Sequence, residues 1–195
     1  MSAPVFYYDF NSPYAYLAAM RVDDVLPIRP LWKPIAFGVM VRTLGKTPWS
    51  FNAETADHRE RLADIARRAE DRGLPPVRYP EGWPIDCYSL TPLRAAVLAD
   101  GAGRLREMSR ELFATFFAEG RSLADVELVL DAGERAGLDR EELRAGLGSD
   151  AVKASLREST DEAIALGARG VPTLAIGDEL FWGDDRLEDA AAALA

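Results

Sequence analysis

The chain has 195 residues, and 48% of them are hydrophobic, which is enough apolar material for one core or for a core with an inserted subdomain. Lys and Arg total 23 against 32 Asp and Glu, and the resulting net charge of -9 argues against a nucleic-acid-binding surface. No apolar stretch approaches the roughly 18 residues of a membrane span, and the N-terminus MSAPVFYYDF lacks the features of a signal peptide. Composition therefore predicts a cytoplasmic globular protein that binds neither nucleic acid nor membrane.

The single cysteine and the single histidine exclude several kinds of active site. Cys87 has no partner for an intramolecular disulfide, a CxxC redox pair or a cysteine-based zinc site, and we expect a small buried side chain there. His58 lies in the polar run ADHRERLAD, which predicts a solvated helix face. Because a Ser-His-Asp hydrolase would need this histidine and no GxSxG elbow accompanies it, we set hydrolysis aside.

The first elements in chain order form a β-α-β pattern. Residues 5–10 are apolar and aromatic and predict a strand, and the SPYAYLAAMRVDDVL that follows has apolar residues at helical spacing. A second strand is predicted over residues 31–36, despite Pro34. The two strands of such a unit usually lie parallel and are joined by a right-handed crossover.

Helical patterns occupy the middle of the chain, between Gly38 and Gly170. About six segments have helical periodicity and end near a glycine or a turn: HRERLADIARRAEDRG, SLTPLRAAVLAD, GRLREMSRELFATFFAEG, LADVELVLDAGERAG, DREELRAGLGS and DAVKASLRESTDEAIALG. Two proline-rich loops, GKTPWS and LPPVRYPEGWP, interrupt them. The tryptophans of these loops predict packing or contact with a ligand.

The end of the chain returns to strand patterns. VPTLAI and ELFW are short β-type runs separated by the turn residues Gly177 and Asp178, and a closing helix follows. The order β-α-β, helical block, α-β-β-α predicts an α/β protein with a thioredoxin-like sheet and an inserted all-helical domain. We assign residues 1–37 and 151–195 to the discontinuous thioredoxin-like domain and residues 38–150 to the inserted domain.

The pair Ser12-Pro13, in YYDFNSPYAYL, marks the point where the first strand runs into a helix. One interpretation is structural, because Ser is a favoured N-cap and Pro suits the first helical position. The other is chemical, because a hydroxyl held beside free helix N–H groups and the positive end of the helix dipole can stabilise an anion. The two interpretations are compatible, and both stay open on these residues alone.

Three motifs together resemble those of a known family: DFNSPYAYL, GARGVPTLAI and FWGDDRL. From about Val5 to the last helix, the chain is similar to 2-hydroxychromene-2-carboxylate isomerases and kappa-class glutathione transferases, in the DsbA-like branch of the thioredoxin fold. Where thiol-disulfide oxidoreductases of this fold have CxxC, this chain has Ser12-Pro13-Tyr14-Ala15. Dithiol chemistry needs two thiols and is therefore excluded, whereas the helix terminus that lowers a thiol pKa remains.

The resemblance implies a site for glutathione as cofactor, with Ser12 as the catalytic residue whose hydroxyl donates to the thiolate. It implies that Pro172 is a cis-proline facing the start of the first helix, so that the backbone of Val171 pairs with the extended tripeptide. The alternative is a trans-proline at a strand entrance. The resemblance also places the γ-glutamyl group at Asp184 and Asp185, for which the alternative is a helix N-cap.

Two further matches to the family are weaker. Lys46 or Thr47 stands where a family asparagine before Pro-Pro supplies a polar contact near the thiol, so the resemblance implies that Lys46 binds the cofactor. Tyr88 replaces the asparagine of a family Asn-Ser-Leu segment, which bears on the second substrate. We expect contacts with an aromatic acid substrate from four aromatic residues, Phe10, Tyr14, Trp49 and Tyr88. Positive charge for two anionic ligands is expected from Lys33, Arg42 and Lys46.

The resemblance implies a glutathione-dependent isomerase that opens and isomerises an aromatic hydroxy-acid of the hydroxychromene carboxylate type, without a metal. The thiolate adds to an unsaturated carbon, the adduct rotates about the new single bond, and elimination returns the thiolate. Two rivals stay open: a kappa-type transferase that conjugates glutathione to electrophiles, and a redox-inactive thioredoxin-fold module that binds extended peptides. Another low-molecular-weight thiol in place of glutathione also stays open, and the family implies a homodimer.

Overall fold

One sheet organises the residues that the structure, a computed structural model, describes: 3–52 and 55–195. Its strands are β1, Val5–Tyr8; β2, Leu31–Pro34; β3, Thr173–Ile176; and β4, Glu179–Trp182. They lie side by side in the order β2-β1-β3-β4. β1 and β2 are parallel, as the β-α-β pattern predicts, and the pairs β1–β3 and β3–β4 are antiparallel.

The strand β1 is buried on both faces, which explains its continuous run of apolar and aromatic residues. Phe6 and Tyr8 point into the larger hydrophobic cluster, where the Phe6 ring lies 5.1 Å from the ring of Trp32. Tyr7 points into a smaller cluster that contains Met40. A slip of one residue would exchange these two faces, so the alternation fixes the register of the strand.

The described residues also contain ten α-helices, and the six helices predicted in the middle of the chain are confirmed as the fourth to the ninth. Short 3-10 turns lie at Trp49–Phe51 and Asp184–Arg186, and a π-helical turn, Ala114–Ala118, continues the sixth helix. The bounds are α1, Pro13–Ala19; α2, Val22–Val25; α3, Phe37–Thr43; α4, Ala56–Asp71; α5, Leu90–Gly101; α6, Leu105–Phe113; α7, Val126–Arg135; α8, Arg140–Gly146; α9, Asp150–Ala165; and α10, Leu187–Ala193.

Local side-chain chemistry sets the start of half of these helices. Ser12 caps α1, since its Oγ accepts the N–H of Ala15 at 3.2 Å. Such a cap contributes about 1 kcal/mol, because it satisfies a helix N–H that has no partner inside the helix. The other side-chain caps are of the same kind: Thr55 for α4, Asp125 for α7, Asp139 for α8 and Ser149 for α9.

Three features differ from the predicted elements, and the buried carboxylate of Asp9 explains two of them. β1 ends at Tyr8 instead of residue 10, and the helix α3 was not predicted. Asp9 Oδ1 accepts the N–H of Asn11 at 2.9 Å, which turns the chain out of the strand. Asp9 Oδ2 accepts the N–H of Phe37, 28 residues away, at 2.8 Å and so holds the start of α3. The second strand is also shorter than predicted and ends at Pro34.

The single cysteine has the surroundings that were predicted, and the single histidine does not. Cys87 is free and 3% exposed. The prediction of a solvated His58 is wrong: the side chain is 6% exposed, and its ring lies 5.3 Å from that of Trp49 and 6.4 Å from that of Trp83. Ile65, two turns further along α4, is fully buried on the same face of the helix. The polar run therefore has one face that packs against the fold.

The helical middle of the chain shares one hydrophobic cluster with the sheet. The ring of Phe113, in α6, lies 5.8 Å from that of Tyr8 in β1 and 6.3 Å from that of Tyr16 in α1. The core is continuous across the predicted domain boundaries at residues 37/38 and 150/151. The division into two domains therefore stays a prediction. None of the described helices combines the length and the apolar character that crossing a bilayer requires.

Candidate active site

A cleft of about 390 Å³ opens at the start of α1, within the size range of small-molecule sites. Arg61 and Arg68 of α4 contribute to one wall. Four segments that are distant in the sequence supply most of its lining: residues 11–14, 46–50, 169–172 and 182–185. The cleft therefore lies where the start of α1, the loop before β3 and the end of β4 meet.

Ser12 lines this cleft and is 9% exposed. Its Oγ accepts the N–H of Ala15 and donates to the backbone carbonyl of Val171 at 3.3 Å. The latter bond is long for a hydroxyl donor, whose usual distance is about 2.7–2.8 Å. The structural interpretation of Ser12 as an N-cap is thus confirmed. The same hydroxyl also donates a long, and therefore weak, hydrogen bond to the wall of the cleft.

The peptide bond between Val171 and Pro172 is cis, as the resemblance implies, so the alternative of a trans bond is wrong. This bond directly precedes β3, and the contact with Ser12 holds it against the start of α1. The carbonyl of Pro172 accepts the N–H of Gly183 at 3.0 Å, which joins the cis-proline segment to the corner after β4. The segments expected to contact glutathione are therefore brought together.

Asp184 and Asp185 are neighbours with different surroundings. Asp184 is 1% exposed, and its carboxylate accepts hydrogen bonds from Arg68, at 2.9 Å, and from Arg72. Burial raises the pKa of Asp184, although the two guanidinium groups favour its charged form. The side chain of Asp185 is 57% exposed and lies 3.5 Å from Arg68. Neither side chain caps α10, so the N-cap alternative is wrong, and Asp185 is the carboxylate within reach of a ligand.

Among the described residues, four cationic side chains line the cleft, and they are of two kinds, two with acidic partners and two without. Arg61 and Arg68 are held by aspartates of α4, and Arg68 is also held by Asp184. The side chains of Lys46 and Arg169 form no ion pair or hydrogen bond with any residue in the described ranges. In a chain of net charge -9, two unpaired cations in one cleft produce a local attraction for anions.

Aromatic side chains complete the wall. The rings of Tyr14 and Trp49 lie 6.0 Å apart, and burial raises the pKa of Tyr14, so its hydroxyl stays protonated at neutral pH. Trp182 is 58% exposed and rests on Gly170, where a Cβ would lie 2.6 Å from the indole Nε1. The cleft thus offers flat apolar surfaces beside its charges.

Some residues expected near a substrate lie elsewhere. Phe10 is 1% exposed and its ring packs 4.8 Å from that of Phe113, so the prediction that it contacts substrate is wrong. Although β1 has already ended, the ring of Phe10 turns back into the core, against the rings of Tyr8 and Phe113. Lys33 belongs to an ion pair outside the cleft. Tyr88 and Arg42 line a second cavity next to the cleft and not the cleft itself.

Among the residues of the cleft wall that sequence reasoning missed are three arginines and a tryptophan: Arg61, Arg68, Arg169 and Trp182. Arg61 and Arg68 are two helical turns apart in the sequence, a spacing that places both on one face of a predicted helix. Arg169 and Trp182 lie inside two of the recognised motifs, GARGVPTLAI and FWGDDRL. These signals existed, but nothing local showed which charged or aromatic residues would face the cleft.

Comparison with known proteins identifies the family and the fold of the chain. A family model of the DSBA-like thioredoxin domain matches residues 5–195. The chain is 29% identical to a 2-hydroxychromene-2-carboxylate isomerase of Pseudomonas putida, over 93% of this chain and 89% of the relative. It is 24% identical to human glutathione S-transferase kappa 1, over 93% and 86% of the two chains. A solved structure of a 2-hydroxychromene-2-carboxylate isomerase superposes with a TM-score of 0.87 at 24% identity, over 99% of this chain and 94% of the other. The resemblance and the thioredoxin-like fold predicted from the sequence are confirmed.

Proposed function

The chain belongs to the DSBA-like thioredoxin domain family, and from that premise we propose that it is a glutathione-dependent isomerase of the 2-hydroxychromene-2-carboxylate type. The similarity over nearly the whole chain to a relative with that activity in its name supports the proposal. The tetrad Ser12-Pro13-Tyr14-Ala15 supports a thiol supplied from outside, because both sulfurs of a CxxC motif are missing.

One contact carries the proposal: inside the cleft, the hydroxyl of Ser12 donates to the carbonyl of Val171 at 3.3 Å. An extended peptide that pairs with the Val171 carbonyl brings a second donor to this acceptor, whose bond from Ser12 is already long. The hydroxyl of Ser12 is then released to donate to a sulfur beside it. Because a hydrogen bond to the charged form lowers a thiol pKa, peptide binding and thiolate stabilisation are coupled through Val171.

The charges that the cleft leaves available match those of glutathione, which has two carboxylates and one ammonium group. We assign the carboxylates to the unpaired cations Lys46 and Arg169, and the ammonium group to the exposed carboxylate of Asp185. Asp184 acts on the ligand only through its neighbour, because arginines already hold its oxygens. The charges of the cleft therefore fit a tripeptide thiol that has two carboxylates and one ammonium group.

Bound glutathione would supply a nucleophilic thiolate that adds to an unsaturated carbon and later leaves, so that rotation about the intervening bond becomes possible. The role of the protein is to orient the reactants and to stabilise charge. Ser12 stabilises negative charge at the position of the sulfur. The protonated Tyr14 and the indole of Trp49 shape the space around it.

The variant Ser12→Ala tests the proposal. With wild type, we expect the thiol of bound glutathione to titrate with a pKa about 1 to 2 below that of the free thiol, and the variant to restore most of the free value. The ultraviolet absorbance of the thiolate, followed against pH at saturating glutathione, measures this. Turnover of a hydroxychromene carboxylate should fall far more than glutathione affinity, because Ser12 acts on the reacting sulfur.

Ser149→Ala is a matched control, since Ser149 caps α9 with an Oγ that accepts the N–H of Val152 at 3.3 Å. Each variant loses a helix cap that contributes about 1 kcal/mol to the free energy of unfolding, which denaturant titration measures. Only Ser12→Ala should change the pKa of the bound thiol. A bound thiol with the free pKa in wild type, or equal effects of the two variants on turnover, would contradict the proposal.

A kappa-type glutathione transferase is the second candidate, favoured by the similarity to human glutathione S-transferase kappa 1. The same thiol site serves both activities, and only the fate of the sulfur differs. Isomerisation leaves glutathione unconsumed, whereas conjugation consumes one glutathione per product, so measuring both in one reaction separates them. A peptide-binding module is the third candidate, and peptide binding without any glutathione affinity would favour it.

A further inference from the structure

A tyrosine and an arginine are in polar contact in the wall of the cleft. Tyr14 lies in the first turn of α1, two residues after Ser12, and Arg61 lies in α4. Both side chains line the cleft together with Ser12. The guanidinium of Arg61 is a hydrogen-bond donor to the oxygen of the Tyr14 hydroxyl. A second hydroxyl, with a cation behind it, thus lies in the space that Ser12 also lines.

Arg61 is held in place from two further sides. Its Nε donates to both carboxylate oxygens of Asp57, at 3.0 and 2.9 Å. Its Cζ lies 5.6 Å from the centre of the Trp49 ring. Because Asp57 takes only the Nε, the terminal nitrogens of the guanidinium stay available to Tyr14. The direction of these donors is therefore fixed before a ligand binds, which is the condition for stabilising a charge that develops during a reaction.

The Tyr14 hydroxyl keeps its own hydrogen for a ligand. A guanidinium has no acceptor atom, so Tyr14 can only accept from Arg61. Within residues 3–52 and 55–195, no acceptor forms a hydrogen bond with this hydroxyl. Burial raises the pKa of Tyr14, so the hydrogen stays in place at neutral pH. A hydroxyl that accepts from a cation is polarised, and the hydrogen bond that it donates is therefore stronger.

The proposed reaction needs such a donor at a second atom. Addition to a carbon–carbon double bond that is conjugated with a carbonyl group forms one new bond and moves an electron pair to the carbonyl oxygen. Elimination breaks the new bond and returns the same pair, so that no electron or proton is left over. Between the two steps the oxygen bears a negative charge, which a fixed donor stabilises better than mobile water does. Ser12 cannot serve both the sulfur and this oxygen, because its hydroxyl has one hydrogen.

We propose that Tyr14 is a second catalytic residue, whose hydroxyl donates to the substrate oxygen on which negative charge develops, and that Arg61 is a positioning residue that orients and polarises this hydroxyl. The inference rests on the proposed function and adds to it the group that stabilises the oxygen. Ser12 stabilises the sulfur. The cleft thus has one donor for each of the two atoms that become charged.

4-Nitrophenol, which forms a coloured oxyanion, tests the donor pair on the full-length chain without any turnover. We expect the wild-type protein to bind the phenolate about tenfold more tightly than the phenol, which lowers the pKa of the bound probe by about 1. Tyr14→Phe and Arg61→Met should each abolish most of this shift, the first by removing the donor and the second by removing the group that orients it. The absorbance of the phenolate against pH, with the protein in excess of the probe, measures the shift.

Turnover gives a second readout, in which Tyr14 and Ser12 differ. Tyr14→Phe should lower kcat about a hundredfold and leave KM nearly unchanged, because the donor is needed only where charge develops. The pKa of the bound glutathione thiol should keep its wild-type value in Tyr14→Phe, whereas Ser12→Ala should change it. Tyr16→Phe and Arg67→Met are matched controls on the same two helices, since neither residue lines the cleft. Both controls should give the wild-type pKa of the probe and the wild-type kcat.

A probe pKa that the wild-type protein leaves unchanged would overturn the proposal, and so would a shift that both Tyr14→Phe and Arg61→Met retain. A higher pKa of the bound glutathione thiol in Tyr14→Phe would also overturn it, because the hydroxyl would then serve the sulfur. Failure of the proposed function gives a different result. Glutathione would then bind to neither wild type nor variants, while the pKa of the probe would still distinguish Tyr14→Phe from Tyr16→Phe.

Discussion

The candidate active-site cleft and a groove beside β2 differ in size and in how their charged side chains are paired. The groove, lined by residues of β2, α5, α6 and α9, encloses about 560 Å³, against about 390 Å³ for the cleft. Two of its cations are neutralised from within the fold, Lys33 by Glu162 and Arg106 by Asp23. Such charges are already used to hold elements together, so they offer little to a ligand.

The cleft differs because two unpaired cations lie together in its wall, whereas one, Arg29, lines the groove among the described residues. Asp184 is held by two arginines, whereas Lys46 and Arg169 have no partner among residues 3–52 and 55–195. A buried charge destabilises the fold when its partner is removed. An exposed cation that has no partner attracts an anion. The two kinds of charge should therefore respond differently to substitution, in stability for the first and in ligand affinity for the second.

The largest effect is expected from Arg72→Met, which removes one of the two partners of the buried carboxylate of Asp184. Removing one of the two partners should cost up to about 3 kcal/mol of the free energy of unfolding, because the buried charge then keeps Arg68 alone. Urea denaturation at neutral pH measures the loss. Arg67→Met is the control on the same helix, since its ion pairs involve a side chain that is 63% exposed and should contribute under about 1 kcal/mol.

The stability of the same variant should also depend on pH in a defined direction. Burial raises the pKa of Asp184, and the loss of Arg72 should raise it further, because the charged form loses a partner. When the pKa of a carboxyl group is higher in the folded state than in the unfolded state, the folded protein binds the proton more tightly. The folded state is therefore stabilised as the pH falls through the raised pKa. The deficit of Arg72→Met relative to wild type should therefore shrink on acidification. A deficit that is independent of pH would show that the ion pair is not its cause.

The next largest effect is expected from the double variant Lys46→Met/Arg169→Met. Each substitution removes a cation that we assign to a carboxylate of glutathione, at a cost of about tenfold in affinity, or about a hundredfold together. Isothermal titration with glutathione measures the loss. Lys33→Met, in the groove, should leave glutathione affinity unchanged, and a similar loss there would mean that the general charge of the protein and not the cleft governs binding.

Those parts of the fold that depend on neighbours in the sequence could be predicted. The apolar run of β1, the Ser12 cap and the turn at Gly177 each act within a few residues, and the corresponding elements are present. The helix α3 could not be predicted, because its start is held by a carboxylate 28 residues earlier.

In the candidate site, too, the features that lie within short motifs could be predicted, and those that depend on residues far apart in the sequence could not. Ser12 and the cis bond before Pro172 belong to short motifs and were recognised. The roles of Arg68 and Asp184 were not, since these residues lie 116 positions apart and their pairing exists only in the folded chain. His58 was misplaced for the same reason, because distant tryptophan side chains and not its polar neighbours decide its burial.

The smallest effect is expected from Gly170→Ala, which tests the uncharged part of the cleft wall. A Cβ at this position would lie 2.6 Å from the indole of Trp182, whose exposed side chain can move away at little cost in stability. The free energy of unfolding should therefore change by less than about 0.5 kcal/mol, and glutathione affinity by about threefold, as the flat wall is displaced. Gly148→Ala is the control, since no atom lies within 4 Å of its added Cβ. If Gly170→Ala weakened glutathione binding as strongly as the loss of both cations, the shape of the cleft would outweigh its unpaired charges, and the contrast with the groove would rest on geometry.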